Sequence, residues 1–373
     1  VVGLTNQPLF IGISLVQALN VGGTAMVARY FGSGQKDRIE NTLKHVMLLC
    51  LFMLAIPLAI LGIIYTDNIL IFMGAEADAL EAGRAYFKIV MVGFIFQSLT
   101  MSMSAALRGI GETKTPMKIN LRANALNVVG NALLIYGLFG FPKLGVTGAG
   151  ISTAISNLIA SVFLFRYVLK GKSVVKFSFK NRFKFDKDII HNLIKIGLPA
   201  SLEQLVLRTG VMLFVKIVAG LGTVIYASHQ IALNILSLSY QPSQAFGIAA
   251  SSLVGRSLGA SEFSKAEDYA KETRKIGSMI STLMAGIFFF FGPQLVALYS
   301  NDPAIIENSS IALKIIALVQ PFQSSQFILA GGLRGAGDTF WPLVGTFSGV
   351  LIFRVGLAYV LVNTFNLGLA GAW

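Results

Sequence analysis

Long apolar runs follow one another along the whole chain, and no other feature of the sequence constrains the fold as strongly. Ten runs approach the ~20 residues that an α-helix needs to cross a bilayer. They span residues 8–28, 46–65, 89–107, 119–141, 147–169, 193–218, 224–254, 278–298, 311–330 and 342–364. Only 13% of the 373 residues are charged and 54% are apolar, so a soluble fold could not bury this surface. The sequence predicts an all-α polytopic membrane protein and excludes a soluble enzyme, a secreted disulfide scaffold and a disordered chain.

Positive charge is distributed unevenly between the loops. The net charge is +13, and 23 of the 30 Lys and Arg residues lie in one set of alternate loops, against four in the other set. Basic loops accumulate on the cytoplasmic side, so this set is predicted to be cytoplasmic and the protein to lie in the plasma (inner) membrane. The charge therefore indicates topology and not nucleic-acid binding. The single cysteine, Cys50, forms no internal disulfide, and no metal site is expected.

Three sequence motifs occur twice in the same order. LRGIGETKTP (107–116) returns as LRGAGDTFWP (333–342), VARYFGSG (27–34) as VGRSLGAS (254–261), and GVTGAG (145–150) as GLAGAW (368–373). Six predicted helices separate the copies, an even number, so both halves have the same orientation, as in parallel-repeat transporters. The repeat predicts two pseudo-symmetric six-helix lobes, with ten helices visible and twelve expected in the intact protein. The first helix of the first lobe and the last helix of the second are expected to be missing, and such a fragment is expected to be inactive.

The repeated motifs contain four arginines and two glycines at predicted helix ends. The arginines are expected in last helical turns, where a cation meets the negative end of the helix dipole: Arg29, Arg108, Arg256 and Arg334. Gly109 and Gly335 are expected to adopt the left-handed conformation that ends a helix. This structural role is favoured over contact with a substrate.

A basic segment divides the chain into a first lobe, 1–170 (helices 2–6 of the intact protein), and a second lobe, 189–373 (helices 7–11). Within this cytoplasmic linker, 171–188, the stretch KFSFKNRFKFDKD alternates Phe with Lys or Arg. A solvated linker that also sets the topology is the favoured interpretation. The alternative is a segment that lies on anionic lipid headgroups with its Phe side chains toward the membrane.

These motifs, together with IGLPASLEQLVLRTG (196–210) and YASHQIALN (226–234), resemble the multidrug and toxic compound extrusion (MATE) family over essentially the whole chain. The stretch 196–234 is most similar to prokaryotic DinF- and YeeO-like members. The resemblance implies two six-helix lobes around a central cavity, which rock between outward- and inward-open states. It implies a secondary active antiporter that exports organic cations and drugs in exchange for H+ or Na+, with no cofactor.

Glu203 is the only one of the 17 acidic residues that lies inside a predicted span. An ionisable group is costly in hydrocarbon and marks a transport pathway by default, so Glu203 is a candidate proton carrier. The alternative is a structural ion pair with one of the three basic residues inside the spans: Arg208, Lys216 or Arg354. The pair of Glu203 with Arg354 is the specific hypothesis.

Four asparagines lie on one face of the helix predicted at 119–141. Their spacing of 4, 3 and 4 residues is helical: Asn120, Asn124, Asn127 and Asn131. Amides must face protein or water, so this face is predicted to line the transport cavity, with hydrogen bonding between helices as the alternative. The resemblance implies that Asn127 and Asn131 belong to a cation site, in which DinF-like members carry Asp at the second position. Thr153, on the next helix, matches a further member of that site.

Gln97 and Gln323 each precede the arginine of the LRG motif by eleven residues. They are predicted to line the cavity as hydrogen-bonding groups, with helix packing as the alternative. NorM-like relatives carry Asp at the position of Gln323. Arg354 corresponds to Val128 in the first half, so the two halves differ in charge at the same place in the repeat. His229 is expected to be a hydrogen-bonded structural residue and not a proton relay.

A flippase for lipid-linked oligosaccharides, from the same broad superfamily, is the alternative function. That class has a cationic cavity, and the three basic residues inside the spans keep it open. An intramembrane enzyme is disfavoured, because the spans hold one carboxylate and the three histidines are far apart in the sequence. The sequence contains no nucleotide-binding loop, so transport is expected to be driven by an ion gradient and not by ATP. The expected partners are small cationic amphipathic substrates and membrane lipids, and the protein is expected to be a monomer.

Overall fold

The computed structural model describes residues 2–75, 77–171, 173–178, 183–365 and 368–373, and these residues form helices joined by short turns, without a strand. The α-helices are α1 (Val2–Gly32), α2 (Lys36–Leu48), α3 (Ile56–Ile64), α4 (Thr66–Phe72), α5 (Ala77–Gly109), α6 (Lys114–Tyr136), α7 (Gly145–Leu169), α8 (Lys187–Ala219), α9 (Thr223–Gly259), α10 (Phe263–Ala297), α11 (Pro303–Gly335), α12 (Phe340–Thr346), α13 (Leu357–Asn363) and α14 (Gly368–Ala372). Two π-helical segments, Leu49–Ala55 and Phe347–Gly356, join α2 to α3 and α12 to α13.

The predicted all-α membrane class is confirmed. Each of the ten predicted spans corresponds to one continuous helical segment, and seven described segments are long and apolar enough to cross a membrane. The fourth span is shorter than predicted: α6 ends at Tyr136, five residues before the expected end. Gly137 follows with φ +72°, a left-handed conformation that closes the helix.

The chain divides into two compact units, Val1–Ser201 and Leu202–Trp373, here called unit 1 and unit 2. The predicted linker, 171–188, precedes this division, which falls inside α8. The first turns of α8 belong to unit 1, since Ile189 and Leu193 are buried in a core with Val16 and Phe94. The lobe boundaries of the sequence analysis stay predictions.

Unit 1 is organised around α5, which packs against α1, α2 and α7, while α6 packs against α7. Small residues allow the helices to approach closely, as is common between helices in membranes. A Cβ on Gly93 would lie 3.0 Å from the Cα of Ala154, so α5 and α7 are nearly in backbone contact. The core of unit 1 contains the fully buried side chains of Phe87 and Phe94.

Unit 2 is organised around α9, α10 and α11, which pack against one another. A Cβ on Gly331 would lie 2.1 Å from the carbonyl oxygen of Gly247, so α9 and α11 are in direct backbone contact. Beside them, Phe214 of α8, Ala358 of α13 and Leu369 of α14 share a second buried cluster.

The LRG motifs end helices in both units, and the four arginines lie in last helical turns as predicted. The prediction for the glycines was wrong. The left-handed residues are Gly111 and Gly337, each with φ +83°. Gly109 and Gly335 are instead sites of close packing: an added Cβ would lie 2.8 Å from the carbonyl oxygen of Thr24 and 2.2 Å from that of Ser251, respectively. Their lack of a side chain serves helix contact and not chain reversal.

The described part of the linker is anchored to α2. Glu40 and Lys44 form an ion pair (2.9 Å), and both also bind the backbone of Ser178: its N–H donates to Glu40 Oε1 (2.8 Å) and its carbonyl oxygen accepts from Lys44 Nζ (2.9 Å). Phe177 and Phe183 are among the residues that line an apolar cavity of about 610 Å3, together with residues of α2, α5 and α7. None of the predicted site residues lines this cavity.

Candidate functional site

The predicted asparagine and threonine residues meet between α6 and α7 in unit 1. The side-chain amide of Asn127 donates to Ser152 Oγ (3.3 Å) and Thr153 Oγ1 (3.2 Å), and the amide of Asn131 donates to Asn127 Oδ1 (3.2 Å). Ser152 Oγ in turn donates to the backbone carbonyl oxygen of Asn127 (2.9 Å). We call Asn127, Asn131, Ser152 and Thr153 the amide site.

Two glycines bring α6 and α7 close enough to form the amide site. A Cβ on Gly130 would lie 2.4 Å from Ser152 Oγ, and a Cβ on Gly148 would lie 2.5 Å from the carbonyl oxygen of Leu134. With side chains at these positions the helices would separate, and Asn127 could not reach Ser152 and Thr153. Ser152 was not singled out from the sequence, although it is adjacent to Thr153.

One acceptor in the amide site is left without a partner. The Oδ1 atom of Asn131 is buried and accepts no hydrogen bond from the described residues. Buried polar atoms without a partner are uncommon and are explained by strain, a catalytic role or an absent ligand. The same side-chain amide of Asn131 donates to Asn127 Oδ1, so the amide site contains one unused oxygen that is available to a cation or an ammonium group.

Two other residues predicted in the first half do not join this site through hydrogen bonds. Asn124 is exposed in unit 1, as is Asn120 one turn before it. Gln97 of α5 is half-buried. The stripe of four asparagines therefore divides into an exposed pair and a hydrogen-bonded pair.

Glu203 forms an ion pair in unit 2, but its partner is not the one proposed. Its Oε1 atom lies 2.6 Å from Nη2 of Arg334 and accepts a hydrogen bond from Thr346 Oγ1 (3.1 Å). The hypothesis of a pair with Arg354 is therefore wrong. Arg334 extends from the last turn of α11 and reaches Glu203 on α8, so the repeat arginine both ends a helix and neutralises a buried carboxylate. Oε2 of Glu203 is buried without a partner among the described residues.

A seam of polar side chains connects α9 and α11. Gln323, a predicted cavity residue, donates to the hydroxyl of Tyr240 (2.8 Å). Gln320, one turn earlier and 1% exposed, donates to Ser239 Oγ (2.5 Å), while its own oxygen has no described partner. Gln320 was missed from the sequence, although its spacing of three residues from Gln323 would have shown that the two share one face.

Arg354 lies in the second π-helical segment, against two aromatic rings of unit 2. Its guanidinium carbon is 4.4 Å from the ring centroid of Phe214 and 5.3 Å from that of Trp373. Gly210 allows α8, which carries Phe214, to approach the π-helical segment. A Cβ on Gly210 would lie 2.2 Å from Val350 Cγ1 and would push the two elements apart. Guanidinium groups are attracted to ring faces, most strongly when they are removed from water.

His229 completes this cluster from α9. Its ring centroid lies 5.5 Å from that of Phe214 and 5.2 Å from that of Trp373. The side chain is fully buried, and neither ring nitrogen has a hydrogen-bond partner among the described residues. The expectation of a hydrogen-bonded structural histidine was therefore wrong. We call Phe214, His229, Arg354 and Trp373 the arginine site.

No group of three or more His, Cys, Asp or Glu side chains that could hold a metal ion occurs in the described part of the chain. The ionisable and polar side chains inside the spans instead form the amide site, the Glu203–Arg334 pair, the α9–α11 seam and the arginine site. Polar and ionisable groups inside a membrane are candidates for a transport pathway, because they are costly to bury in hydrocarbon.

Comparison with known proteins identifies relatives over the full length of the chain. The MatE family model matches residues 1–133 and 199–360. The "Probable multidrug resistance protein NorM" of Thermotoga maritima is 30% identical over 380 residues, covering 100% of this chain and 80% of the relative. The "Uncharacterized transporter YisQ" of Bacillus subtilis is 29% identical over 374 residues, covering 100% of this chain and 81% of the relative.

Solved structures with the same fold also match the whole chain. A MATE crystal structure in complex with MaD3S has a TM-score of 0.92 at 26% identity and is covered to 82%. An outward-facing multidrug resistance MATE transporter of the MOP superfamily has the same score, identity and coverage. A MOP superfamily transporter from Pyrococcus furiosus, described by the reverse polarity of its binding pocket, has a TM-score of 0.90 at 26% identity and is also covered to 82%.

Proposed function

Because the chain belongs to the MatE family of multidrug efflux transporters, which are not enzymes, we propose that it exports small organic cations in exchange for H+ or Na+. Transport proceeds by alternating access, with the basic loops on the cytoplasmic side of the plasma membrane. The relatives are multidrug resistance proteins and transporters by name, which supports a small-molecule substrate.

The amide site carries this proposal. It is a partly buried group of amide and hydroxyl oxygens between α6 and α7, and the Asn131 Oδ1 acceptor is unused among the described residues. Oxygen ligands suit hard cations, and a cation bound there replaces the missing hydrogen bond of Asn131. Substrate and coupling cation can therefore compete for one site, as antiport requires.

The chemistry of the amide site favours Na+ as the coupling ion. Its four residues carry no group that gains or loses a proton in the physiological range, so Na+ binding needs no proton transfer there. Proton coupling would instead use Glu203, which already forms an ion pair with Arg334. Both ions remain within the proposal, and the experiment separates them.

The test is ethidium uptake into everted membrane vesicles that contain the protein expressed from its complete gene, under either an imposed Na+ gradient or an imposed pH gradient. Uptake that depends on one gradient and is abolished by its collapse is the expected result, and it identifies the ion. Vesicles with the Asn120→Ala variant serve as the matched control, because Asn120 is exposed and lies outside the amide site. Absence of uptake under both gradients, with the protein present in the membrane, would overturn the proposal.

A flippase for lipid-linked oligosaccharides is the second candidate function, and Arg354 favours it. Its guanidinium has no carboxylate within ion-pair distance among the described residues, and a flippase would use such a charge to bind a pyrophosphate. The P. furiosus relative with a pocket of reverse polarity is consistent with variation in substrate charge in this superfamily. Absence of ethidium uptake would favour this function over the export of organic cations.

A further inference from the structure

We infer that the arginine site of unit 2 binds the carboxylate group of a substrate, so that the exported molecules include organic acids and zwitterions. This inference deepens the proposed export function and rests on it for the direction of transport. The match to the MatE family concerns most of the chain. The carboxylate site, in contrast, depends on the four side chains of the arginine site, which come together only in the folded structure.

The charge of Arg354 is not neutralised by Glu203. Glu203 is the only carboxylate inside a span predicted from the sequence, and it is bound to Arg334. Arg354 contacts ring faces, which reduce the cost of its burial without cancelling its charge. Because unpaired charges are costly inside a membrane, a retained arginine there indicates a ligand of opposite charge.

Several hydrogen-bonding groups of the arginine site have no partner. The buried Nε1–H of Trp373 and both ring nitrogens of His229 are unpartnered among the described residues. A neutral imidazole donates from one ring nitrogen only, and Arg354 adds five N–H donors in a planar fork that matches the two oxygens of a carboxylate. The cluster therefore offers the Arg354 fork, the Trp373 N–H and one His229 N–H to an acceptor. An oxyanion supplies the missing acceptors.

The arginine site and the amide site lie on corresponding segments of the sequence repeat. Arg354 corresponds to Val128, which lies between the two asparagines of the amide site in the sequence, and Trp373 corresponds to Gly150, two residues before Ser152. The amide site has a spare acceptor, and the arginine site has spare donors. The halves thus select groups of opposite charge.

The backbone around Arg354 is irregular. The π-helical segment Phe347–Gly356 contains Arg354, whereas its counterpart in unit 1 lies within the regular helix α6. π-Helical turns are rare and occur frequently at functional sites. The other π-helical segment of the described residues, Leu49–Ala55, lies at a different place in the repeat, so at this place only the half with the arginine is irregular.

The experiment measures equilibrium binding of radiolabelled benzoate to the purified protein in phosphatidylcholine nanodiscs, with benzamide as the uncharged analogue of the same shape. Saturable binding of benzoate, without competition by benzamide, is expected. The protein contains two tryptophans, Trp341 and Trp373. In the Trp341→Phe variant, benzoate should therefore change the emission of Trp373 alone.

The decisive variant is Arg354→Gln, which should weaken benzoate binding by about tenfold or more, the range of a lost charge-assisted hydrogen bond. Arg208→Gln is the matched control, since it removes one positive charge from the same unit outside the cluster, and it should leave binding unchanged. Should Arg354→Gln fail to fold, Arg354→Lys retains the charge but not the fork and should bind benzoate more weakly than the unmodified protein.

Several outcomes would overturn the inference: absent binding of benzoate, equal binding of benzamide, or unchanged binding by Arg354→Gln. Complete competition by phosphatidic acid added to the nanodiscs would assign the site to a lipid phosphate and would also overturn it. Ethidium uptake is measured on the same protein. Uptake of ethidium without benzoate binding contradicts this inference alone, whereas benzoate binding without ethidium uptake contradicts the proposed cation export.

Discussion

The Glu203–Arg334 pair explains how an ionised carboxylate can be kept inside unit 2. Glu203 is 3% exposed, and its Oε1 atom accepts from both the arginine and Thr346. A buried ion pair is weak evidence for stability, but the loss of one partner leaves an unpaired charge and costs about 3–5 kcal/mol. Each residue of the pair therefore requires the other.

A double-mutant cycle tests this pairing. Glu203→Gln and Arg334→Gln should each lower the melting temperature, and the double variant should lose less than the sum, with a coupling energy of about 1–3 kcal/mol. The matched cycle of Glu203→Gln with Arg354→Gln should show no coupling, because these side chains are not paired. Thermal unfolding in detergent gives both numbers, and coupling in the second cycle alone would contradict the assignment.

At the amide site, the unused acceptor of Asn131 predicts a defect in transport rather than in folding. Asn131→Ala removes Oδ1 and the hydrogen bond to Asn127 (3.2 Å). Ethidium uptake should fall by about tenfold, which corresponds to about 1.4 kcal/mol of lost binding. The melting temperature should remain near that of the unmodified protein. Uptake as high as in Asn120→Ala would argue against a role for Asn131 in binding.

Glycines set the distance between neighbouring helices. The contact of α9 with α11 depends on Gly331 and Gly335, which face the backbone of Gly247 and Ser251. In a bilayer the lipid tails are as apolar as the side chains, so close van der Waals contact drives helix association. The repeated glycines of the LRG motifs serve this contact in both units.

Gly335→Ala should therefore destabilise unit 2. The new Cβ would lie 2.2 Å from the backbone oxygen of Ser251, and overpacking of this kind costs about 1–3 kcal/mol. Gly286→Ala is the matched control, because no atom lies within 4 Å of its added Cβ and alanine is the better helix former. A lower melting temperature is expected for the first variant only, and equal melting temperatures would contradict the packing role.

The loop between α5 and α6 is held by one carboxylate. Glu112 Oε2 accepts from Ser173 (2.6 Å), and Oε1 accepts from Thr115 (2.8 Å) and from the hydroxyl of Tyr167. Burial acts to raise the pKa of Glu112, but these three hydrogen bonds outweigh it, and the pKa lies below its ordinary value of 4.5. The carboxylate therefore stabilises the loop in its ionised form.

This lowered pKa predicts the direction of a pH effect. A group with a lower pKa in the folded state stabilises the protein fully above its unfolded value, and this stabilisation is lost as the pH falls through the folded value. Glu112→Gln should thus lower the melting temperature at neutral pH. The difference from the unmodified protein should shrink below pH 4.5, the ordinary value. A difference that stays constant with pH would contradict an electrostatic role for Glu112.

At the scale of the whole molecule, the two halves of the repeat have the same helices and different chemistry. Unit 1 holds a neutral amide site with a spare acceptor, and unit 2 holds an arginine site with spare donors. Two copies of one ancestral unit can conserve packing while their polar residues diverge, because the packing depends on small residues and the chemistry on a few others. The proposed substrate range, which includes both charges, rests on this difference.

The sequence alone determined the membrane class, the ten helical segments and the repeat, because apolar length and motif order are properties of the chain itself. It also brought together Asn127, Asn131 and Thr153, since helical spacing and the resemblance pointed to the same residues. The tertiary structure alone decided that Glu203 pairs with Arg334, that Gly109 and Gly335 serve helix contact, and that His229 lies beside Arg354. These facts depend on which side chains of distant helices meet, and helical periodicity defines the face of a helix but not the neighbour that covers it.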